Sequence, residues 1–333
     1  MEEQWIFRVS FINVGNGDAI LLQAKDENCQ GGCFVMVVDA GSGEREEYEN
    51  STTGRVRALD FLEREDVDHI DVLVNTHIHE DHTCGMEEVA ARWKPATFWQ
   101  PFPVELFRMM KPLEAAGAVC ESGRKFRAAL NSYQRLCTQV LDAGGEVKQL
   151  VWQEEIRVAE RLHIKVLGPT LEAVKGQTER FRRLYEACKS GEETKEIERE
   201  LDAEMNDTSL ILYLECAGHT FLLPGDTQRS VYKCSKEKLK AEVFKVGHHG
   251  QENSMDKELL EAVAPRCAII CASSDRRYES AAPQILEMLN QFGTRLYFTD
   301  VPNVPPFTDK LKPHCGVCVE IMQNGSMSVK YLL

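Results

Sequence analysis

Three histidines and an aspartate fall within six positions in His77-Ile78-His79-Glu80-Asp81-His82. Imidazole and carboxylate are preferred donors for zinc, manganese and iron. On an extended or turning backbone, residues two apart point the same way. His77 and His79 can therefore face one ion, and Asp81 and His82, beyond the turn, a second ion a few ångströms away. The chemistry such a pair supports is hydrolysis, because two cations bring the pKa of water from near 16 toward about 7 and polarise the bond under attack.

This cluster needs elements to hold it, and the sequence supplies them. Ile70-Asp71-Val72-Leu73-Val74 reads as a buried strand that delivers the motif at its C-terminal end. Four other chemistry-bearing runs also sit at ends of apolar strands. They are Val37-Val38-Asp39-Ala40-Gly41, Met205-Asn206-Asp207-Thr208-Ser209-Leu210, Phe221-Leu222-Leu223-Pro224-Gly225-Asp226-Thr227 and Val243-Phe244-Lys245-Val246-Gly247-His248-His249-Gly250. Strand ends on one edge of a sheet converge, so these runs are expected to complete one site. Further strands are expected at Arg8 to Val14, Asp18 to Gln23 and Cys33 to Val38, with glycines at the turns. Helices are expected at about 52–66, Gly85 to Arg92, Arg124 to Ala143, Glu172 to Glu204, about 228–239, Glu258 to Val263 and Pro283 to Phe292. Strands at Ser209 to Cys216, His219 to Leu223, Val243 to Val246, Cys267 to Cys271 and Arg295 to Thr299, and a terminal hairpin at Gly316 to Met322 and Met327 to Leu333, complete the pattern. The charge-rich run Glu192 to Glu204 reads as a solvated helix face. No repeat or low-complexity linker divides the chain, so residues 1–333 are expected to form a single domain with a mainly helical insert at about 95–205.

These motifs resemble the metallo-β-lactamase superfamily, whose HxHxDH signature is matched by His77 to His82. Within it the sequence is similar to the ComEC-type branch, soluble relatives of the metallohydrolase domain of a DNA-uptake protein. That branch opens on a "DVGQGDA" run, matched by Asn13-Val14-Gly15-Asn16-Gly17-Asp18-Ala19. Asn206 to Leu212, Gly225-Asp226, Lys245 to Gln251 and Pro283 to Leu289 match its later runs. The resemblance covers roughly 5–100 and 205–333. It implies a four-layer αββα sandwich with two divalent metal ions, zinc or manganese, at one edge between the sheets. It implies His77 and His79 on the first ion, Asp81, His82 and His248 on the second, Asp226 bridging, and Asp39 orienting a ligand imidazole by its outer nitrogen. The first ion lacks the further histidine found in many members, and Asp207 or solvent is the candidate in its place. Asn13, Asn16 and Gln251 depart from the branch pattern and bear on substrate choice.

The implied activity is hydrolysis of a phosphodiester, in nucleic acid or a nucleotide, by a hydroxide held between the metals, with Asp81 indispensable. His249 or Lys245 is expected to hold the substrate's anionic group. Hydrolysis of a small lactam, lactone or thioester is the alternative enzyme reading. A metal-stabilised, non-catalytic partner in a multi-protein system is the other, with the insert as the surface a protein partner would meet.

The whole chain narrows these readings. Of 333 residues, 43% are hydrophobic and 28% charged, enough for a large packed core. No apolar run of the roughly 18 residues a membrane helix needs is present, and the acidic start does not resemble a signal peptide, so a cytoplasmic location without membrane attachment is expected. The net charge of −14 disfavours loose binding to a polyanion, which draws its affinity from Lys and Arg on phosphates. Two cations in a cleft would reverse that field locally. Twelve cysteines read as unremarkable thiols rather than a disulfide scaffold, and a zinc site from Cys29/Cys33 with Cys315/Cys318 is disfavoured by the loose spacing.

Overall fold

Apolar residues run almost without interruption through the early strands, as expected for strands covered on both faces. The computed structural model describes residues 4–49, 52–114, 120–234, 239–308 and 311–333. Strands β1 (Trp5–Ile12), β2 (Ala19–Lys25) and β3 (Cys33–Ala40) form an antiparallel meander. Helix α1 (Ala58–Arg64) leads to β4 (Val72–Val74), which pairs parallel with β3. The short α2 (Glu80–Thr83) and α3 (Met86–Trp93) precede β5 (Thr97–Gln100). Helices α4 (Val104–Met109) and α5 (Glu121–Asp142) lead to β6 (Glu146–Gln149). Then come β7 (Glu155–Ala159), β8 (Leu162–Gly168), α6 (Leu171–Ser190) and α7 (Lys195–Ala203). The remainder is β9 (Ile211–Cys216), β10 (His219–Leu223), β11 (Val243–Lys245), α8 (Lys257–Val263), β12 (Cys267–Ile270), α9 (Pro283–Gln291), β13 (Arg295–Phe298) and the hairpin of β14 (Gly316–Met322) and β15 (Met327–Leu332).

Among the described residues these strands make two sheets. One runs β15-β14-β1-β2-β3-β4-β5-β6 and the other β13-β12-β11-β10-β9-β8-β7. Alternate residues of each strand fill different cores. Ile20, Leu22, Met36 and Val38 face the second sheet, where they meet Leu212, Leu214, Leu223 and Ile269. Leu21, Val35 and Val37 face outward and are covered with Phe61, Val89, Leu130 and Phe181 from the helices. Ala268 and Ile270 face α8 and α9, packing with Leu260, Ile285 and Leu289. Phe7 and Phe221 meet edge to face across the sheets at 5.3 Å. The result is the expected αββα sandwich.

The segment 95–205 holds the long helices α5 and α6 and, beside its helices, strands that the expectation of a mainly helical insert did not include. It carries four strands, with β5 and β6 extending the first sheet and β7 and β8 the second. These strands are short or carry charged residues, as in Glu155-Ile156-Arg157-Val158-Ala159, because they lie toward the sheet edges where one face meets water. The helix expected from Glu172 to Glu204 breaks at Gly191, whose φ of +74° ends α6 in a left-handed cap. The helix expected near 228–239 is a single 3-10 turn at Val231–Cys234, and 235–238 lie outside the described residues. No helix among the described residues is long and apolar enough to cross a membrane.

Candidate metal centre

Strand β4 ends at Val74, and the next side chain pins the loop that follows. Asn75 Nδ2 donates to His77 O at 2.8 Å and to Asp39 Oδ1 at 3.2 Å. His79 is still extended (φ −118°, ψ 157°) and is the last residue before α2. The helical turn then places Asp81 and His82 on the far side. His77 Nε2 and His79 Nδ1 face each other at 3.1 Å. His82 Nε2 stands 3.2 Å from Asp226 Oδ2. His249 Nε2 stands 2.9 Å from that same oxygen and 3.4 Å from Asp81 Oδ2. Donor atoms of His77, His82 and Asp226 lie within 4.8 Å of one another, as do those of Asp81, His82 and His249.

This donor set fits divalent cations. Two imidazole nitrogens aimed at each other repel unless a proton or a cation lies between them. His82 Nε2 and His249 Nε2 are buried without a well-formed hydrogen bond, a costly state for a polar atom unless a ligand satisfies it. The outer nitrogens, by contrast, are held. His77 Nδ1 meets Thr76 Oγ1 at 3.0 Å, His82 Nδ1 meets Asp39 Oδ2 at 2.8 Å, and His249 Nδ1 meets Cys271 O at 2.7 Å. Such contacts fix which ring nitrogen is free to ligate. Asp39 is held in turn by Thr76, through its amide at 2.8 Å and its hydroxyl at 2.6 Å.

The local charges divide the imidazoles. Burial, with His82 and His79 nearby, keeps His77 neutral and its pKa well below the usual range. Burial would do the same to His82, but Asp226 and Asp39 overcome it and raise its pKa well above the usual range. His249 is raised to about 10, as Asp226 and Asp81 outweigh its burial. The Asp226 and Asp81 carboxyls are held low against their own burial by the facing imidazoles, with Lys245 also acting on Asp226.

Three placements differ from expectation. The expected second-ion ligand His248 is turned away, and His249 stands with Asp81 and Asp226 instead. His248 Nε2 faces Asn206 Nδ2 at 3.1 Å and its Nδ1 faces Asn253 Oδ1 at 2.8 Å. Both histidines adopt left-handed backbone (φ 44° and 51°), so the alternation of an extended strand does not apply. Lys245, expected to hold substrate, is 0% exposed. Its ammonium contacts the Asp18 carboxylate, Gly225 O at 2.8 Å and Asp226 Oδ1 at 3.3 Å, and does not reach the cavity. Asp207 stands outside the converging groups, and its neighbour Asn206 lines the cavity in its stead.

Other residues enter that the sequence reading did not single out for the site. Asp18 is 1% exposed and joins Asp226 and His249 in one cluster. Asn16 Nδ2 donates to Asp81 Oδ2 at 2.5 Å, so this departure from the branch pattern acts on the metal site itself. Gly17 makes both contacts possible: at φ +117° it passes so close to Asp81 O that a Cβ would overlap it. The spacing Gly15-Asn16-Gly17-Asp18 was the available signal. Asp202, on α7, stands 3.2 Å from His79 Nε2.

Above the cluster opens a cavity of about 300 Å³. His79, Asp81, Asp226, His248 and His249 line it, together with Lys125 and Phe126 from α5 and Arg277 and Tyr278 from the turn opposite. Lys125 lies 3.3 Å from Glu44, and Arg277 contacts Glu47 and Asp275.

Comparison with known proteins agrees with this architecture. Residues 13–110 match the family model described as the metallo-beta-lactamase superfamily. Over 302 residues the chain is 23% identical to ComE operon protein 3 of Bacillus subtilis (strain 168), covering 88% of this chain and 32% of that protein. The chain thus spans about a third of the length of that relative. Among solved structures it is similar to Zn(2+)-bound PqqB from Methylobacterium extorquens (TM-score 0.45, 11% identity, 88% of this chain and 98% of that one). It is also similar to a diphosphatase from the PhnP family (TM-score 0.39, 12% identity, 87% and 94% covered). The family match over residues 13–110 and the likeness to ComE operon protein 3 over 88% of the chain support a metallo-β-lactamase fold and a resemblance to the ComEC-type branch.

Proposed function

We propose that this chain is a metal-dependent hydrolase of the metallo-β-lactamase type that cleaves a phosphodiester, in a nucleotide or at an accessible end of a nucleic acid. The observation that carries this reading is the convergence of His77, Asp81, His82, Asp226 and His249, with His79 against His77, at a cavity that His79, Asp81, Asp226 and His249 line. His77 and His79 would hold one divalent ion, zinc or manganese. Asp81, His82 and His249 would hold a second, with Asp226 between them. Bound there, the ions would polarise the scissile bond and make hydroxide available at neutral pH.

The chain's own groups then set what can enter. Asp81, Asp202, Asp226, Glu47 and Glu80 all line the cavity, so an anionic group would be repelled unless cations first reverse the field. Lys125 and Arg277 at the rim can donate to phosphoryl oxygens, each already balanced by a carboxylate of its own. The cavity lies at the small end of the range for small-molecule sites, roughly 300–1,000 Å³. It is walled by α5 and α7 on one side and the turn at Arg277–Glu279 on the other. Together with the acidic surface, this supports a short substrate or a strand end over the interior of a duplex.

The test is a substrate panel on metal-analysed protein: bis(p-nitrophenyl) phosphate, single-stranded DNA, a chromogenic lactam and a thioester, with zinc and with manganese. Phosphodiester turnover that disappears on chelation, returns on metal addition and is absent in Asp81→Ala is the expected result. Turnover confined to the lactam or thioester would move the substrate class. Fully loaded protein inert on every substrate would leave the non-catalytic partner reading standing.

A further inference from the structure

We propose that Asp202, on the last helix of the added segment, positions His79, making α7 a working part of the metal centre. This rests on the reading of His79 as a metal ligand. The imidazoles of His77, His82 and His249 have their outer nitrogens held by groups on or next to the two sheets: Thr76, Asp39 and Cys271 O. His79 is held differently. Its Nδ1 faces His77, and its outward Nε2 stands 3.2 Å from Asp202 Oδ1.

The contact is oblique to the ring N–H, so it acts more as a charge contact than as a linear hydrogen bond. Even so, a carboxylate at Nε2 favours the tautomer that carries its proton there. That leaves the Nδ1 lone pair free for an ion. Phe126 of α5 sits edge-on to the same ring at 6.3 Å and limits its rotation.

The helix bearing Asp202 is firmly anchored. Arg127 of α5 grips Glu198 of α7 through two hydrogen bonds of 2.8 Å each, with both side chains about nine-tenths buried. Gln177 of α6 donates to Leu201 O at 2.7 Å, and Leu201 itself is fully buried. Ser122 Oγ donates to the second Asp202 oxygen at 3.2 Å. The run Glu192 to Glu204, which reads as a solvated face, thus contributes one side chain to a buried ion pair and another to a candidate metal ligand.

Asp202 is 35% exposed, so the lower part of the usual effect is expected. Substituting a group that holds a ligand's outer nitrogen typically lowers metal affinity about 10- to 100-fold. The experiment is a zinc titration against a chromophoric chelator on wild type, Asp202→Ala and Asp202→Asn, with the cobalt(II) absorption spectrum of each. Wild type should take up two ions. Asp202→Ala should lose about tenfold affinity at one site, leave the other unchanged and alter the cobalt spectrum. Asp202→Asn keeps the shape of the side chain and removes its charge, so it should recover little of that affinity, whereas a merely structural role would be restored by it. Asp202→Ala with wild-type affinity at both sites and an unchanged spectrum overturns the proposal while leaving the metal reading intact. Wild type that takes up no ion overturns both.

Discussion

Lys245 offers the sharpest test of how this centre is built, because its two possible roles give opposite results. The side chain is 0% exposed, and its ammonium is shared among Asp18, Asp226 and Gly225 O. Burial alone would favour the neutral amine, but Asp18 and Asp226 hold it charged at every accessible pH. Lys245→Met keeps the length of the side chain and removes the charge. Asp18, 1% exposed, would then be a buried carboxylate without its cation. Removing one member of a buried ion pair costs about 3–5 kcal/mol. At about 2 °C per kcal/mol, the lower end for large domains, the midpoint of thermal unfolding should fall by roughly 6–10 °C. The assay is a thermal melt in chelator, repeated with saturating zinc or manganese. Cations beside Asp226 would replace part of the lost charge, so the deficit should shrink when metal is present. If Lys245 instead served the substrate, the melt would be unchanged and KM would rise. A shift within about 2 °C in chelator would refute the buried-pair argument.

The remaining predictions concern individual positions around the centre. His249→Ala should bind one ion fewer than wild type by elemental analysis after gel filtration, while His248→Ala should keep the wild-type number; the reverse outcome would restore the expectation that His248 is the ligand. Gly17→Ala forces a side chain into left-handed backbone and against Asp81 O. It should lower stability by about 1–3 kcal/mol in denaturant titration and reduce metal content with it. Unchanged metal content would show that the Asp81 loop can move aside without cost.

Most of the fold was legible because its buried strands are covered on both faces. Runs such as Cys33 to Val38 leave no other reading once the length is short and glycines bound them. What escaped was the edge. Thr97–Gln100 is four residues long, and Glu155–Ala159 alternates charged with apolar side chains. Neither offers a continuous apolar signal, and their pairing partners lie far along the chain, so a reading by local periodicity passes over them into the helices that follow. The break between α6 and α7 had a signal, Gly191, but Gly176 lies inside α6 without ending it. A glycine alone does not say which outcome applies.

The site was legible where its residues are close in sequence and opaque where backbone direction decides. His77 to His82 could be read because extension, then one helical turn, fixes where four side chains point. His248 and His249 could not be told apart, since two successive left-handed residues cancel any rule of alternation. Asp18 stood in view within the opening run and gained its role only when β2 and β11 brought it against Lys245. With these residues in place, charge bears on the number of ions. Asp18, Asp39, Asp81 and Asp226 surround the cluster, and Lys245 is the ammonium in direct contact with two of them. With all four carboxylates ionised and the imidazoles neutral, three negative charges remain. One divalent ion would still leave the cluster negative, hostile to an anionic substrate. A second leaves it positive by one charge, in a low-dielectric setting where each charge acts strongly. On the proposed reading, that balance would favour two ions over one, since a chain of net charge −14 would need a locally positive site to hold an anionic substrate.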